Sequence, residues 1–275
     1  MVLRTPQSEA GAAGLAAILD RPQEATLAFD FDGVLSPIVA DPGLSRPYPG
    51  VVAALGRLAE LVGSVSIITG RPVADVLRLG DLGELAALER FAIFGLYGMQ
   101  RWDRSSRSVV SEPVPAGVEA ARAQLPALLD EAGFAGVSVE DKAMSVAVHT
   151  RRADAPQEAF TALRPPLTEL AERHGLALEP GRMVLELRPP GIDKGHALAA
   201  IVTGRGSRAV AYFGDDLGDL AAFDAVERLR EAGLAGLKVC SGSDEVPRLA
   251  ERADLIVDGP PGVLEFVEGL NEQLK

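Results

Sequence analysis

Residues 25–35 read Ala25-Thr26-Leu27-Ala28-Phe29-Asp30-Phe31-Asp32-Gly33-Val34-Leu35, an apolar run that closes on two acids one residue apart and then a glycine. A short Ala, Leu and Phe run ending at acids and Gly predicts a strand over Ala25–Phe31, buried on both faces as in a parallel sheet. Strand alternation sends the carboxylates of Asp30 and Asp32 to one side, and the chain must leave the sheet near Gly33. Alone, this end fits a solvated turn equally well, because Asp and Gly are common in turns.

Working outward, Val65–Thr69, Phe91–Leu96, Ala209–Phe213, Leu237–Cys240 and Leu255–Val257 repeat the pattern of a short apolar run before a turn residue. Helical stripes lie between them, clearest for Val51, Leu55, Leu58 and Val62, with further helices expected after Asp216, Asp244 and Pro260. Alternation of strand and helix predicts an α/β fold, a Rossmann-like core with a parallel sheet covered on both faces. Ligands of such sheets sit beyond the carboxyl ends of the strands.

The middle of the chain changes period. Val137 and Val139, Val146 and Val148, then Leu185 and Leu187 alternate as half-buried antiparallel strands do, beside helical stretches at Gly117–Ala132 and Ala155–His174. An inserted, smaller α+β module over residues 112–188 follows, flanked by core segments 1–111 and 189–275 and bounded by Pro113, Pro115, Pro189, Pro190 and Gly191. Ser145, Ala147, His149 and Arg151 share one face there, and Glu186 and Arg188 oppose Leu185 and Leu187. That mixed polar face suits many hydroxyls at once; it equally suits the wet side of a sheet, with Glu140 and Lys142 as a hairpin ion pair.

Composition bounds the function classes. The 275 residues are 47% hydrophobic and 24% charged, which excludes a disordered or collagen-like chain. A net charge of −12 has the wrong sign for a phosphate backbone, so no nucleic acid partner is expected. No apolar run reaches the roughly 20 residues of a membrane span, and the first residues lack the apolar run of a signal peptide, so no membrane is expected and the location is read as cytoplasmic. The single Cys240 permits no internal disulfide or thiolate zinc site and reads as a small core hydrophobe. Gly204-Arg205-Gly206 lacks the third glycine of a dinucleotide fingerprint, and no Walker loop or His-Glu-x-x-His occurs.

Three more segments join the acids. Ile67-Ile68-Thr69-Gly70-Arg71-Pro72 places a hydroxyl at a strand end; Asp193-Lys194-Gly195 opens a helix with a cation; Gly214-Asp215-Asp216-Leu217-Gly218-Asp219 closes a strand with a carboxylate cluster. Each has a plain reading: Thr69 as a cap, Lys194 as a surface residue, Asp215, Asp216 and Asp219 as a cap and first-turn acids. Their order and common position make coincidence a poor account.

With these four motifs in order along the whole chain, the sequence resembles the haloacid dehalogenase superfamily of phosphotransferases. The resemblance implies Asp30 as nucleophile, Asp32 as general acid/base, and Thr69 and Lys194 as holders of the phosphoryl group. It also implies a magnesium cofactor among Asp30, Asp32, Asp215 and Asp216. Val34 stands where many members carry threonine, and the second acid, Asp32, favours a phosphatase over a dehalogenase. The chemistry suits the residue types. A carboxylate attacking phosphorus splits one hard hydrolysis into two displacements, and the second acid serves both.

Within that superfamily the place of the inserted module resembles the sugar-phosphatase branch with an open-sheet cap. The segments Asp30–Ile38, Gly95-Leu96-Tyr97-Gly98, Val139-Glu140-Asp141-Lys142, His149-Thr150-Arg151 and Glu186-Leu187-Arg188-Pro189 resemble those of trehalose-6-phosphate phosphatases. What this implies is a phosphoric monoester hydrolase acting on a small-molecule sugar phosphate, trehalose 6-phosphate foremost, with one chain acting as a monomer. Gly33, Gly70, Arg71, Tyr97, Glu140, Lys142, His149, Arg151, Glu186 and Arg188 are the implied substrate contacts, with hinges near Glu112–Pro115 and Arg188–Gly191. Another disaccharide phosphate, a pseudo-disaccharide phosphate or a glycosyl-phosphoglycerate keeps the chemistry and changes the ester. All four catalytic positions are filled, which argues against a silent regulatory subunit. Two departures stand out: Leu217-Gly218-Asp219-Leu220 replaces a threonine- and glutamate-bearing continuation, and Tyr97 lies where histidine or a similar polar residue is more typical.

Overall fold

The computed structural model describes residues 3–134, 136–181, 183–242 and 247–275, so the helix expected after Asp244 begins outside the described residues. The chain forms two compact units, Met1–Ser111 with Asp193–Lys275, and Glu112–Ile192. The return crossing lies at Ile192, where the sequence pattern put it at 188.

In chain order the first unit begins with α1 (Glu9–Asp20), β1 (Ala25–Phe29), α2 (Val51–Leu61), β2 (Ser64–Ile68), α3 (Val73–Gly80), β3 (Phe91–Gly95), β4 (Gln100–Asp103) and β5 (Ser108–Ser111). The second unit holds α4 (Ala116–Glu131), β6 (Ser138–Asp141), β7 (Val146–His149), α5 (Pro156–Arg173), β8 (Ala177–Gly181) and β9 (Val184–Arg188). The chain then completes the first unit with α6 (Lys194–Arg205), β10 (Ala209–Gly214), α7 (Leu220–Glu231), β11 (Ala235–Ser241), α8 (Pro247–Ala250), β12 (Leu255–Val257) and α9 (Gly259–Gln273).

An eight-stranded sheet runs β12-β11-β10-β1-β2-β3-β4-β5. The six strands from β12 to β3 are parallel, and β4 and β5 add an antiparallel edge. Every residue of β1 and β2 is buried, because helices cover both faces. Alternation decides which face each residue serves. Leu27, Phe29, Ile67 and Phe213 join the core under α2 and α9, whereas Ala28, Ile68, Val210 and Tyr212 join the core under α6 and α7. Phe29 and Phe213 stack at 4.3 Å between ring centres, with Phe266 at 5.7 Å from Phe213. Truncating such a buried ring costs about 3–5 kcal/mol.

Register brings the motifs together. Phe29 is level with Phe213 on one side and Ile67 on the other. The residues that follow, Asp30, Asp215 and Thr69, therefore leave the sheet at one edge. Between β10 and β2 the chain order reverses about β1, which is where parallel sheets open a crevice.

The second unit is a four-stranded antiparallel sheet, β6-β7-β9-β8. Leu125 and Leu129 of α4 and Leu163, Leu167 and Leu170 of α5 bury against Val146, Val148, Leu185 and Leu187. Pro126, Pro165 and Pro166 lie inside these helices and each forfeits a backbone hydrogen bond, yet the leucine stripe of α5 continues across its pair. Strand β8, with Pro180, takes the edge position that proline allows. Among the described residues no helix is long and apolar enough to cross a membrane.

Candidate active site

Strand β1 ends at Phe29, two residues earlier than the apolar run suggested. Asp30 N–H still donates to the Phe213 carbonyl at 2.9 Å, and the chain then turns, reaching φ +72° at Gly33. A Cβ at Gly33 would lie 2.0 Å from Asp215 Oδ2, so both the left-handed backbone and the close approach require glycine. Ser241 Oγ, at the end of β11, donates to the Gly33 carbonyl at 2.6 Å and fixes the turn.

The turn separates the two acids. Asp30 points inward: its Oδ2 accepts from Lys194 Nζ at 2.7 Å and its Oδ1 from the Phe31 N–H at 2.7 Å. Lys194 is placed by Asp193, whose carboxylate accepts from His196 N–H at 2.8 Å and caps α6. The same Nζ donates to Asp219 Oδ1 at 2.7 Å and lies 3.9 Å from Asp216. Asp32 turns outward instead, and its carboxylate is forked by Arg71 Nε and Nη2 at 2.5 and 2.7 Å.

Asp219 is fully buried and hydrogen-bonded at every position a carboxylate offers. Oδ1 accepts from Lys194 Nζ and the Tyr212 hydroxyl, the latter at 2.6 Å, and Oδ2 from the backbone N–H groups of Asp215 and Asp216 at 2.9 and 3.1 Å. A Cβ at Gly214 would lie 2.5 Å from Asp219 Cβ, so the acid folds back only because residue 214 has no side chain.

Burial and charge set the protonation of the cluster. Burial pushes Asp30 well above the carboxylate range, with Asp219 and Asp216 adding to it and Lys194 opposing. Burial, then repulsion from Asp30, Asp219 and Asp216, pushes Asp215 up to about 9. Burial works against the charged forms of Lys194 and Asp219 too, but there the salt bridge wins, so the ammonium is held well above and the carboxylate below its ordinary value. Tyr212 is pushed up by burial and by the Asp219 charge, which keeps its hydroxyl a donor.

Asp30, Asp215 and Asp219 bring carboxylate oxygens within 4.8 Å of one another, a spacing that could hold a metal ion. Hydrogen-bond accounting narrows this set. Asp219 has no lone pair left, whereas Asp30 and Asp215 are buried, mutually repelling and short of positive charge. A hard divalent cation with oxygen preference fits those two. Asp32 and Asp216, expected beside the ion, stand outside the cluster. The Asp32 carboxylate is forked by Arg71, and the Asp216 side chain, 58% exposed, closes a capping box with Asp219.

Thr69 is buried at the end of β2, where its Oγ1 accepts from Arg71 N–H at 3.2 Å. Leu96, Tyr97 and Gly98 all have left-handed backbones, with φ of 48°, 59° and 100°. Such geometry in two non-glycine residues costs on the order of 1–3 kcal/mol each. It is offset by the Tyr97 and Leu96 N–H groups, which donate to the Thr69 and Arg71 carbonyls at 3.0 Å each, and it sets the Tyr97 phenol against Gly70.

In the second unit, register aligns Glu140, Ala147, Glu186 and Glu179 as one row across all four strands. Glu186 is buried and accepts from Lys142 Nζ at 3.0 Å and Ser145 Oγ at 2.5 Å. His149 Nε2 lies 2.8 Å from Glu140, and Arg188 lies 3.4 Å from Glu179. Arg151 does not join this face: β7 ends at His149, and Arg151 is exposed in the following turn. Asp219, which the sequence offers either as part of a carboxylate cluster or as a first-turn acid, belongs to the buried cluster, whereas no sequence pattern marks Tyr212, Ser241, Ser45 or Glu179. Only Asp219 carried a signal, its spacing four residues after Asp215.

A family model described as Trehalose-phosphatase matches residues 28–255. The chain is 35% identical over 258 residues to a trehalose-phosphate phosphatase of Mycolicibacterium paratuberculosis, covering 90% of this chain and 62% of that one. It is 33% identical over 255 residues to one of Mycobacterium tuberculosis, covering 90% and 61%. The chain thus spans about three fifths of the length of these relatives. Among solved structures, trehalose-6-phosphate phosphatase of Aspergillus fumigatus superposes with a TM-score of 0.71 at 25% identity, covering 98% of this chain and 99% of that one. The C-terminal domain of the Candida albicans enzyme, with a TM-score of 0.75 at 20% identity and 99% coverage of both chains, shows the same fold.

Proposed function

This chain belongs to the trehalose-phosphatase family, and from that premise we propose that it hydrolyses trehalose 6-phosphate to trehalose and phosphate through an aspartyl-phosphate. The observation that carries the reading is the buried Asp30 carboxylate at the tip of β1, hydrogen-bonded to Lys194 and beside Asp215.

In the first displacement an Asp30 oxygen bonds to phosphorus while the bond to the sugar oxygen breaks, and Asp32 gives that oxygen a proton. In the second, water attacks phosphorus, its proton passes to Asp32, and Asp30 is released. Lys194 balances the phosphoryl charge, and the Thr69 hydroxyl orients it. Asp30 and Asp215 would hold magnesium, which when bound supplies the positive charge that lets a carboxylate approach a phosphate dianion. Gly33, Gly70 and Tyr97 shape the phosphate end of the site. In the second unit, the alternating acceptors and donors of Glu140, Lys142, His149, Glu186 and Arg188 are of the kind that suits the hydroxyls of a disaccharide.

The test is phosphate release by the purified protein from trehalose 6-phosphate, with and without magnesium, beside glucose 6-phosphate. Release that needs magnesium and strongly prefers the disaccharide ester is expected. Equal turnover of glucose 6-phosphate would remove the disaccharide assignment, and full activity after exhaustive chelation would remove the metal.

A further inference from the structure

Asp32 is a half-buried acid near the site, and what constrains it is a residue expected to bind substrate. Arg71 lays its guanidinium edge along the Asp32 carboxylate, Nε to Oδ2 at 2.5 Å and Nη2 to Oδ1 at 2.7 Å. Its third nitrogen, Nη1, donates to the Pro42 carbonyl at 2.9 Å, and its Cζ lies 5.8 Å from the centre of the Phe31 ring. The Asp32 fork leads the causes that raise the Arg71 guanidinium above its ordinary value. Ser45 Oγ adds a third donor to Asp32, on Oδ1 at 3.0 Å, and is itself paired with Ser36 Oγ at 2.5 Å.

A carboxylate offers about four lone-pair positions, two on each oxygen. Arg71 and Ser45 fill both on Oδ1, and Arg71 fills one on Oδ2. One position remains, on Oδ2. A planar fork also fixes the carboxylate plane, which a single point contact cannot do.

We propose that Arg71, supported by Ser45, is the positioning residue of the general acid/base, and that Asp32 Oδ2 is the atom that exchanges the proton. The proposal rests on the phosphatase reading above. In the first displacement the Oδ2 proton moves to the departing sugar oxygen as its bond to phosphorus breaks and the bond from Asp30 to phosphorus forms. In the second, a water proton returns to Oδ2 as the water oxygen bonds to phosphorus and the bond to Asp30 breaks. Arg71 gives up no proton in either step; it holds the plane in which Oδ2 faces the reacting oxygens. Arg71 is thereby set apart from the phosphate-holding groups, since three of its five N–H donors are spent within the protein.

Leaving-group chemistry separates this role from substrate binding. The kcat/KM of a phosphate ester reports the first displacement, and p-nitrophenolate leaves without a proton, whereas a sugar alkoxide needs one. Arg71→Met should therefore lower kcat/KM for trehalose 6-phosphate by about 100-fold, carried by kcat, and that for p-nitrophenyl phosphate by less than about fivefold. Arg71→Lys should fall between, because an ammonium cannot fork a carboxylate. Equal losses on both esters, or a loss confined to KM, would overturn the proposal. Should Arg71→Met not unfold cooperatively, Ser45→Ala decides, with a smaller loss expected on the sugar ester alone and refutation by no selectivity. A wild-type protein that hydrolyses neither ester would defeat the phosphatase reading itself, an outcome distinct from unselective variants.

Discussion

The strand-end cluster of the first unit and the polar sheet face of the second use the same residue types in opposite ways. Around Asp30, carboxylates are buried, crowded and short of cations, and burial raises both Asp30 and Asp215. Across Glu140, Lys142, Glu179 and Arg188, each acid has a cationic or histidine neighbour and most of these groups touch solvent. Frustrated charge in a dry pocket favours a ligand that relieves it, a cation and a phosphoryl transition state. Satisfied charge on a half-wet face can only trade one partner for another, so on the proposed reading its part would be to select among hydroxyls without driving chemistry. The first region should thus govern kcat and the second KM, and the variants below are ranked by how hard they strain that division.

Asp30→Asn is the most severe. An amide has nearly the shape of the acid but cannot bond to phosphorus as a nucleophile, so kcat should fall by at least about 10³-fold with the thermal midpoint little changed. A phosphate-release assay beside a melting curve reads both. Retained turnover would move the nucleophile elsewhere and erase the contrast between the regions.

Asp219→Ala tests whether the buried cluster is built as a unit. It strips Lys194 of one of its two close acids and leaves the Tyr212 hydroxyl and two backbone N–H groups without their acceptor. Removing one partner of a buried pair costs about 3–5 kcal/mol, seen as a lower urea midpoint at unchanged slope. A loss below about 1 kcal/mol would mean that water replaces the carboxylate and that the cluster is wetter than its burial implies.

These residues also show why the sequence was legible in places and not in others. The apolar runs before Asp30, Thr69 and Asp215 are buried strands, and their parallel register brings the motifs to one edge, so the α/β core and the strand-end site could be read from pattern alone. The hairpin of β4 and β5 and the edge strand β8 could not, because none of the three holds a fully buried residue and so none carries an apolar run. Where Asp32 and Asp216 point was equally hidden, being decided by Arg71, a residue 39 positions away from Asp32, and by a capping box rather than by the local run of acids. Tyr212 read as core and is core, except for one oxygen whose partner lies seven residues on. Side-chain destinations set by long-range hydrogen bonds leave no periodic trace.

The gentlest test stays within the second region and asks whether burial grades its contributions. Lys142 holds Glu186, which is only 8% exposed at its side chain, whereas His149 pairs with a Glu140 side chain that is 51% exposed. Lys142→Met leaves a carboxylate underfilled where water reaches poorly, while His149→Ala removes a pair that solvent already screens. KM for trehalose 6-phosphate should rise about tenfold in the first variant and no more than about threefold in the second, with kcat near wild type in both. Initial rates across a substrate series separate the two constants. A kcat loss in Lys142→Met as large as its change in KM would show this face taking part in the chemical step, and the division between driving and selecting would no longer hold.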